Sequence, residues 1–157
     1  MEHNFDKLDL QIMSILTQNA RESFQEIARM CGLSGAAIHQ RIKRLQSTGV
    51  IKRWECVLEP KTLGYNTCAI VGMKMRESAK FNILLERIKH TPQVVTCDVT
   101  SGRYDVVIKL MGRSNAHILE LVQKMADGIH VLTETLVSFQ EVFTRQLSPS
   151  ESEKKKK

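Results

Sequence analysis

The chain has 157 residues, of which 42% are hydrophobic and 25% charged, and its formal net charge is +6. The length suits one mid-sized domain or two small ones, and the composition is that of a folded globular protein. No apolar run approaches the roughly 18 residues of a membrane-spanning helix, and the N-terminal MEHNFDKLDL lacks a secretion signal, so we expect neither membrane binding nor export.

The first predicted helix begins near Asp6 and opens a three-helix segment, residues 5–48. Asp9 lies in its first turn, where a carboxylate interacts favourably with the helix dipole. Apolar residues then recur at helical spacing, which predicts one buried face. They are Leu8, Ile12, Ile15 and Leu16. Residues 19–22 break this pattern.

Two further helices follow, joined by a tight turn. The motif S-x-x-E at residues 23–26 is a capping box that opens the second helix, which runs through Met30. Gly32 is the predicted C-cap of this helix, and Ser34 is the predicted N-cap of the third. Because a glycine-containing turn this short sets the third helix across the second, the pair is predicted to form a helix-turn-helix.

The third helix, predicted over residues 34–47, has one apolar face and one face without any acid. Ile38, Ile42 and Leu45 share the predicted buried face. The opposite face combines small, amide, imidazole and cationic groups, which suit the major groove of DNA, and a helix N-terminus favours a phosphate. Residues 29–53 contain six basic side chains and no carboxylate, which favours a polyanionic partner.

We therefore predict that this surface binds double-stranded DNA. The candidate contact residues are Ser34, Gly35, Ala36, His39, Gln40, Arg41, Lys43, Arg44, Lys52 and Arg53. Arg41 lies beside the buried face, where it either braces the domain or reaches a phosphate, and we do not expect it to contact a base. The alternative is an ordinary solvated surface, because exposed helix faces are commonly rich in lysine, arginine and glutamine.

A strand is predicted over residues 50–58, after Gly49 ends the third helix. Its alternation places four side chains on one face, namely Lys52, Trp54, Cys56 and Leu58. A proline and a glycine punctuate the residues that follow. The predicted division of the chain is a first domain at 1–60, a linker at 61–66, a second domain at 67–147 and a flexible basic tail at 148–157.

The second domain contains an internal repeat of two β-α-β halves. The predicted strands cover residues 67–75, 94–100, 105–111 and 131–144. The two helices are predicted to be capped by Ser78 and Ser114, and each places apolar residues at i, i+3, i+4 and i+7. Doubled, this is the ferredoxin-like β-α-β-β-α-β pattern, so the predicted fold class is α+β, a helix-turn-helix domain followed by a ferredoxin-like domain.

The stretch LDLQIMSILTQNARESFQEIARMCGLSGAAIHQRIKRLQSTGVI resembles the N-terminal winged-helix domain of the Lrp/AsnC regulators, the leucine-responsive or feast/famine family. The shared pattern is L-D-x-x-I-x-x-L, a short helix, G-L-S, a helix with R-I-x-x-L, and G-V-I. The second half resembles the ligand-sensing ferredoxin-like domain of the same family, including S-G-x-Y-D at residues 101–105. The resemblance covers residues 4–146, with both halves in the right order and at the right spacing.

The resemblance implies a bacterial or archaeal transcription regulator, cytoplasmic and nucleoid-associated, that forms homodimers and often octamers built as tetramers of dimers. The strand at 50–58 would pair between dimer partners, and the ferredoxin-like sheets would pack face to face. On this analogy Trp54, Cys56 and Leu58 are interface residues. The alternative for Trp54 is an aromatic side chain in the core of its own subunit.

The same resemblance implies that an amino-acid effector binds between ferredoxin-like domains, near the S-G-x-Y-D turn. The candidate effector residues are Thr100, Ser101, Gly102, Arg103, Tyr104, Asp105, Thr133 and Thr135. Asp105 could hold an ammonium group, and Arg103 or the hydroxyls a carboxylate. Many family members carry an acid or another residue at the position of Arg103, which leaves the identity of the effector open. Alternatively, SGRYD is a plain hairpin turn, with Gly102 supplying a positive φ and Tyr104 packing.

Two other classes of function are set against a DNA-binding regulator. For an enzyme, the sequence shows no Ser/His/Asp or Cys/His set, P-loop or G-x-G-x-x-G, and His90, His117 and His130 lie near predicted helix ends, where capping or solvent contact is expected. For an RNA-binding sheet, the first and third strands lack the aromatic side chains on which bases stack. We therefore predict no enzymatic activity and no cofactor. The remaining alternatives are an effector-independent or architectural DNA-binding regulator and a ferredoxin-like small-molecule-binding protein or enzyme.

The four cysteines are scattered along the chain. They are Cys31, Cys56, Cys68 and Cys97. No CxxC pair exists and no histidine lies at metal-ligand spacing from any of them, so we expect reduced, mostly buried thiols and no metal site. A disulfide framework or a zinc site is the minor alternative.

Overall fold

The computed structural model describes residues 5–149, which divide into two compact units. Among these residues, the first unit comprises 5–57 and 143–149, and the second spans Leu58–Val142. Only the first two residues of the predicted tail at 148–157 are among those described. Within residues 5–149, no helix is long and apolar enough to cross a membrane.

Within its described residues, the first unit contains three helices, α1 (Lys7–Gln18), α2 (Phe24–Cys31) and α3 (Gly35–Ser47). Asp6 caps α1 and forms a reciprocal capping box with Asp9, while Ser23 and Ser34 each accept a backbone N–H three residues further on. Gly32 ends α2 in the left-handed region, with φ 64°. The predicted caps of these helices are therefore confirmed, except that the Glu26 carboxylate pairs with Arg29 instead of completing a box with Ser23.

The apolar faces of the three helices share one core. Its buried side chains are Ile12, Met13, Leu16, Ile27, Ala28, Ile38, Ile42 and Leu45. The three residues of the predicted buried face of α3 are at most 2% exposed. The buried face is thus confirmed, and it determines which side chains of α3 point to solvent.

The strand predicted over residues 50–58 is not formed. Among the residues described, no strand pairs with this segment, and its backbone enters no sheet. Its apolar side chains are exposed, with Val57 at 91% and Leu58 at 63%. Trp54 is 44% exposed, which does not fit the alternative of a core aromatic within the subunit. The physical reason is that a strand needs a partner strand to satisfy its N–H and C=O groups, and among the described residues only the N–H groups of Val50 and Ile51 find a backbone acceptor, the Leu45 carbonyl at the end of the third helix.

The second unit is a four-stranded antiparallel sheet with two helices. The strands are β1 (Thr67–Met75), β2 (Val94–Val99), β3 (Val106–Gly112) and β4 (Val131–Ser138), and the helices are α4 (Phe81–Lys89) and α5 (Asn115–Ala126). The strand order is β2-β3-β1-β4, and all three pairings are antiparallel. With a helix between β1 and β2 and another between β3 and β4, this is the predicted ferredoxin-like topology.

The two faces of this sheet differ in burial. On one face, Val71 is paired with Ile108 and Met73 with Val106, and all four side chains are completely buried in the core with α4 and α5. The residues between them lie on the other face, because side chains alternate along a strand. That open face exposes apolar side chains: Ile70 is 41% exposed, Leu132 57% and Leu136 58%.

Several predicted boundaries of the second unit are corrected by the structure. Ser78 does not cap α4, because it begins a separate 3-10 turn, Ser78–Lys80, and α4 starts only at Phe81. β4 ends at Ser138 instead of reaching residue 144, since β1, its only partner strand among the described residues, pairs with it no further than Cys68. The remaining strands agree with their predicted ranges to within one residue, and Ser114 caps α5 as predicted.

Candidate nucleic-acid and effector sites

The outward face of α3 is solvent-exposed and free of acids. Gln40 and Lys43 are exposed, and neither forms a hydrogen bond or an ion pair with any described residue. His39 packs edge-on against the ring of Phe24 of α2, with the ring centroids 5.9 Å apart. At the start of the helix, a Cβ added to Gly35 would meet no atom within 4 Å. The glycine is therefore not required by packing within the chain, and it keeps this end of α3 free of side-chain atoms.

Two arginines that the sequence placed on or beside this face are tied to α1 instead. Arg41 donates to Oδ1 of Asp9 and to Oδ2 of Asp6, each at 2.7 Å, and Arg44 donates to Oδ2 of Asp9. Of the alternatives for Arg41, bracing is what the structure shows. Arg44 was expected to point freely outward, and its contact with Asp9 corrects this, although 53% of its side chain remains exposed.

Asp9 is fully buried, and among the described residues it is the only charged side chain that is. Two arginines one helical turn apart satisfy its two oxygens, as a buried charge requires. Asp9 also donates its backbone N–H to Asp6 at 2.8 Å. That N–H, followed by the guanidinium of Arg41, holds the pKa of the Asp6 carboxyl below its usual range. The start of α1 is thereby bonded to the middle of α3.

Sequence reasoning missed the role of Asp9, although a signal was present. Asp9 precedes Ile12, Met13 and Leu16 by three, four and seven residues, so it lies on the apolar face of α1. An acid on such a face is expected to have a cationic partner. Arg41 and Arg44 of the acid-free third helix were two candidates for that cationic partner.

Beyond α3, the two remaining candidate DNA contacts lie in the exposed segment that lacks strand pairing. Lys52 has no partner among the described residues, whereas Arg53 forms a 3.1 Å ion pair with Glu55. Both ends of the latter pair are more than half exposed, so it contributes little to stability.

The predicted effector loop joins β2 to β3 as a hairpin. Thr100 donates its N–H to the Asp105 carbonyl at 2.9 Å and its hydroxyl to the Tyr104 carbonyl at 2.7 Å. Gly102 has φ 134°, a conformation that favours glycine. Ser101 and Arg103 are exposed on the loop. The hairpin geometry agrees with the alternative given for SGRYD, and it leaves an effector role open.

The Asp105 carboxylate binds two residues of β1 and thereby holds this loop against the strand. Its Oδ1 accepts from the Lys74 ammonium at 2.6 Å and its Oδ2 from the Met75 N–H at 2.8 Å. These two bonds, that of Lys74 first, hold the pKa of the carboxyl below its usual range. Both oxygens therefore already have a donor, and Asp105 is a poor candidate for holding a ligand ammonium.

A second acid, which the sequence analysis did not select, lies beside Tyr104. Glu134 of β4 accepts a hydrogen bond from the Tyr104 hydroxyl and pairs with Arg103 at 2.8 Å, both through Oε2. The hydrogen bond to this carboxylate raises the pKa of Tyr104 above its usual value. The Arg103 guanidinium also lies 5.3 Å from the centroid of the Tyr104 ring. We call Arg103, Tyr104 and Glu134 the open-face cluster.

Gly72 of β1 makes room for this cluster. A Cβ added at this position would lie 2.6 to 2.7 Å from the root of the Tyr104 ring. Gly72 is also the register partner of Glu134, so the ring and the carboxylate occupy the open face of the sheet together. Only a residue without a side chain at position 72 admits the ring there.

Thr133 and Thr135 do not join the other effector candidates within the subunit. Their register partners are Met73 and Val71, whose side chains lie on the helix-packed face. Because directly opposed residues of an antiparallel pair share a face, the two threonines lie on the opposite side of the sheet from Tyr104. The face on which a residue of an edge strand lies follows from its register, which residue types alone do not determine.

The four cysteines are free thiols. Cys31 and Cys68 are partly buried, and burial raises the pKa of both. Cys56 and Cys97 are exposed, which corrects the expectation of mostly buried thiols. Within residues 5–149, no group of three histidine, cysteine or acidic side chains could hold a metal ion.

Comparison with known protein families agrees with both halves of this architecture. A model of the AsnC-type helix-turn-helix domain matches residues 5–46, and a model of the Lrp/AsnC ligand binding domain matches residues 68–148. The regulatory protein AsnC of Haemophilus influenzae is 30% identical over 152 residues, which is 94% of this chain and 99% of that protein. An HTH-type transcriptional regulator from Pyrococcus furiosus is 31% identical over 132 residues, covering 81% and 87% of the two chains.

Solved structures show the same fold. E. coli AsnC superposes with a TM-score of 0.84 at 28% identity, covering 94% of this chain and all of that one. A feast or famine regulatory protein from M. tuberculosis, complexed with L-methionine, has a TM-score of 0.87 at 23% identity and covers 93% and 100%. A transcriptional regulator from Neisseria meningitidis, also complexed with L-methionine, has a TM-score of 0.86 at 17% identity and covers 96% and 99%. The chain belongs to the Lrp/AsnC family of transcriptional regulators, with an AsnC-type helix-turn-helix domain followed by an Lrp/AsnC ligand-binding domain.

Proposed function

We propose that this regulator binds double-stranded DNA with the outward face of α3, and that a free amino acid bound at the second unit modulates this binding. The observation that carries the proposal is the exposed, acid-free face of α3, on which Gln40 and Lys43 have no partner among the described residues. A helix presenting an amide and an ammonium without a competing acid matches base edges and phosphates in the major groove. The L-methionine complexes of two relatives with this fold support an amino-acid effector.

The DNA contacts are proposed to divide by role. Gln40 and His39 face the bases, Lys43 and Lys52 neutralise phosphates, and the N-terminus of α3 at 34–36 accepts a phosphate. Arg41 and Arg44 act mainly by holding α3 through Asp9, since each already donates to that carboxylate. Arg53 forms an exposed ion pair with Glu55 and contributes to the positive electrostatic potential of this surface.

Salt dependence of binding tests this division. Lys43→Ala should lower the slope of log K against log salt by about one unit, because one phosphate contact and its released counterion are lost. Gln40→Ala should leave the slope unchanged and lower the preference for a selected DNA site over random duplex by about tenfold. The measurement is fluorescence anisotropy at several salt concentrations, with a duplex that the wild-type protein selects from a random library.

A matched control for the lysine is available in the second unit. Lys124 of α5 is equally an exposed lysine without a partner among the described residues, and Lys124→Ala should leave the slope unchanged. Equal slopes for Lys43→Ala and Lys124→Ala would contradict the assignment of α3 as the DNA-binding surface.

We further propose that the regulator works as a homo-oligomer, with dimers as the building unit and an octamer as the larger assembly, in the cytoplasm and on the nucleoid. Two features of the subunit support association with a second copy. The open face of the sheet exposes three large aliphatic side chains, Ile70, Leu132 and Leu136. The segment at 50–58 pairs with no strand among the described residues, and its Val57 is 91% exposed. Exposed apolar patches and unpaired strand edges are typical interfaces.

A charge placed on the open face tests the proposed dimer. Leu136→Glu should raise the dimer dissociation constant at least tenfold, because a carboxylate would be buried without a partner in the interface. Leu119→Glu on α5 is the control, since both leucines are 58% exposed and only one lies on the open face. Sedimentation velocity at micromolar concentrations measures both. A monomeric wild-type protein, or equal behaviour of the two variants, would refute this interface.

The comparisons support a regulatory and not a catalytic role, since the relatives described above are named as transcriptional regulators. The three histidines that an enzyme could have used are engaged locally. His90 contacts the Glu86 carbonyl at 2.7 Å, His117 accepts the Arg113 N–H at 3.1 Å, and His130 pairs with Glu77 at 2.8 Å. We therefore propose no enzymatic activity and no cofactor other than the effector itself.

A further inference from the structure

Phe24, the first residue of α2, is a large apolar side chain that lies outside the core of the first unit. It is 38% exposed, and it is neither one of the buried side chains of that core nor one of the partly buried side chains packed against them. It does not cap the helix, because the Ser23 hydroxyl accepts the Glu26 N–H at 3.1 Å. Neither the core nor the cap of α2 therefore requires a ring at this position.

The ring of Phe24 contacts the imidazole of His39 on the outward face of α3. The two ring centroids are 5.9 Å apart and the ring planes are inclined at 61°, which is the geometry of a favourable edge-to-face pair. Neither nitrogen of the His39 ring has a hydrogen-bond or ion-pair partner among the described residues. The contact therefore orients the imidazole and leaves both of its nitrogens available.

This orientation matters for recognition because an exposed side chain samples several rotamers. A side chain that is free in the unbound protein loses that freedom on binding, and the loss weakens the complex. The imidazole of His39 has lost part of this freedom already, since it packs against Phe24 across the helix-turn-helix. Fixing the imidazole on a ligand is thereby less costly than fixing an unsupported histidine.

We propose that Phe24 is a positioning residue for base recognition, which holds the His39 imidazole so that a ring nitrogen meets a base edge in the major groove. This inference rests on the proposed binding of DNA by α3, and it adds a residue of the preceding helix to that surface. An imidazole N–H donates to the N7 or O6 acceptors of a purine, and an unprotonated ring nitrogen accepts from an amino group. Phe24 acts only through His39, so the two residues affect recognition of the same base pair.

Selection of duplexes from a random library, followed by anisotropy titration of the full-length protein, tests this coupling. Phe24→Leu keeps an apolar side chain and removes the ring. It should relax the preference at the base pair that His39→Ala relaxes, and it should weaken binding of the selected duplex about two- to tenfold. Phe24→Tyr keeps the ring and should retain wild-type affinity and preference. In a His39→Ala background, Phe24→Leu should weaken binding no further, because the residue that it positions is gone.

The proton resonances of the His39 imidazole give a second measurement that needs no DNA. They should shift in Phe24→Leu, because the neighbouring aromatic ring is lost. Met30→Leu is the matched control, since Met30 is an apolar side chain of the same helix and is 48% exposed. This variant should leave the His39 resonances, the affinity and the base preference unchanged.

Three results would overturn the inference. Additive losses in the double variant would show that Phe24 contacts DNA itself, and equal effects of Phe24→Leu and Met30→Leu would show that the ring has no special role. Wild-type affinity and preference in His39→Ala would show that His39 reads no base. Binding of DNA by α3 would still be judged separately, by the salt dependence of Lys43→Ala.

Discussion

Asp9→Ala is expected to destabilise the first unit by about 3 kcal/mol. Removing one member of a buried ion pair costs about 3–5 kcal/mol, and the lower end applies here because Arg41 and Arg44 reach solvent once released. Asp9 is completely buried, and it is bonded to both arginines and to the Asp6 N–H. The loss is measured by urea unfolding of the full-length protein, followed by circular dichroism and by hydrogen exchange of the α3 amides.

Asp6→Ala provides the comparison. Asp6 caps α1 and accepts from the same arginine, but its side chain is 51% exposed, so its removal should cost only about 1 kcal/mol, as for other N-caps. Asp9→Asn keeps the shape of the side chain and removes its charge, and it should fall between the two alanine variants. If Asp9→Ala were no more destabilising than Asp6→Ala, Asp9 would not be the residue that holds α3 to α1.

Gly72→Ala is expected to destabilise the second unit by about 1–3 kcal/mol, the usual cost of overpacking. The added methyl group would lie 2.6 Å from Cγ of Tyr104. Because Cγ is the root of the ring, rotation of the side chain tip does not relieve the clash, and the whole ring must leave the open face. The hydrogen bond from Tyr104 to Glu134 is then lost, and its loss adds to the destabilisation. Thermal unfolding of the full-length protein measures the effect.

Two further variants isolate the cause. In a Tyr104→Ala background, adding Gly72→Ala should cost less than about 0.5 kcal/mol, because the clashing ring is absent and the two changes are coupled. Gly35→Ala serves as an outside control: a Cβ there meets nothing within 4 Å, and alanine is the better helix former, so this variant should be neutral or stabilising. A full penalty for Gly72→Ala in the Tyr104→Ala background would show that the ring is not the reason for the glycine.

Local patterns predicted the helical half of the protein well. Capping residues such as Ser23 and Ser34 act within three residues of themselves, and the apolar spacing of Ile38, Ile42 and Leu45 reports a face that a helix presents wherever it packs. The order of strands and helices in the second unit followed in the same way from its repeated β-α-β pattern. The prediction of a strand at 50–58 was wrong because alternation predicts an extended backbone but does not supply the partner strand with which it would pair.

For the candidate sites, too, some features followed from local sequence and others only from tertiary structure. The exposed, acid-free face of α3 was determined by the sequence alone, because helical periodicity assigns each of its residues to the inner or outer side. Tertiary structure decided which charged side chains find a partner within the protein. Arg44 and Asp105 have partners more than 30 residues away in the chain, and Glu134 meets Tyr104 only through the register of β4 on β1. Ion pairs and register join residues that are distant in sequence, so the surface proposed to bind DNA could be predicted from composition and spacing, while the acids that hold α3 and the loop at 100–105 could not.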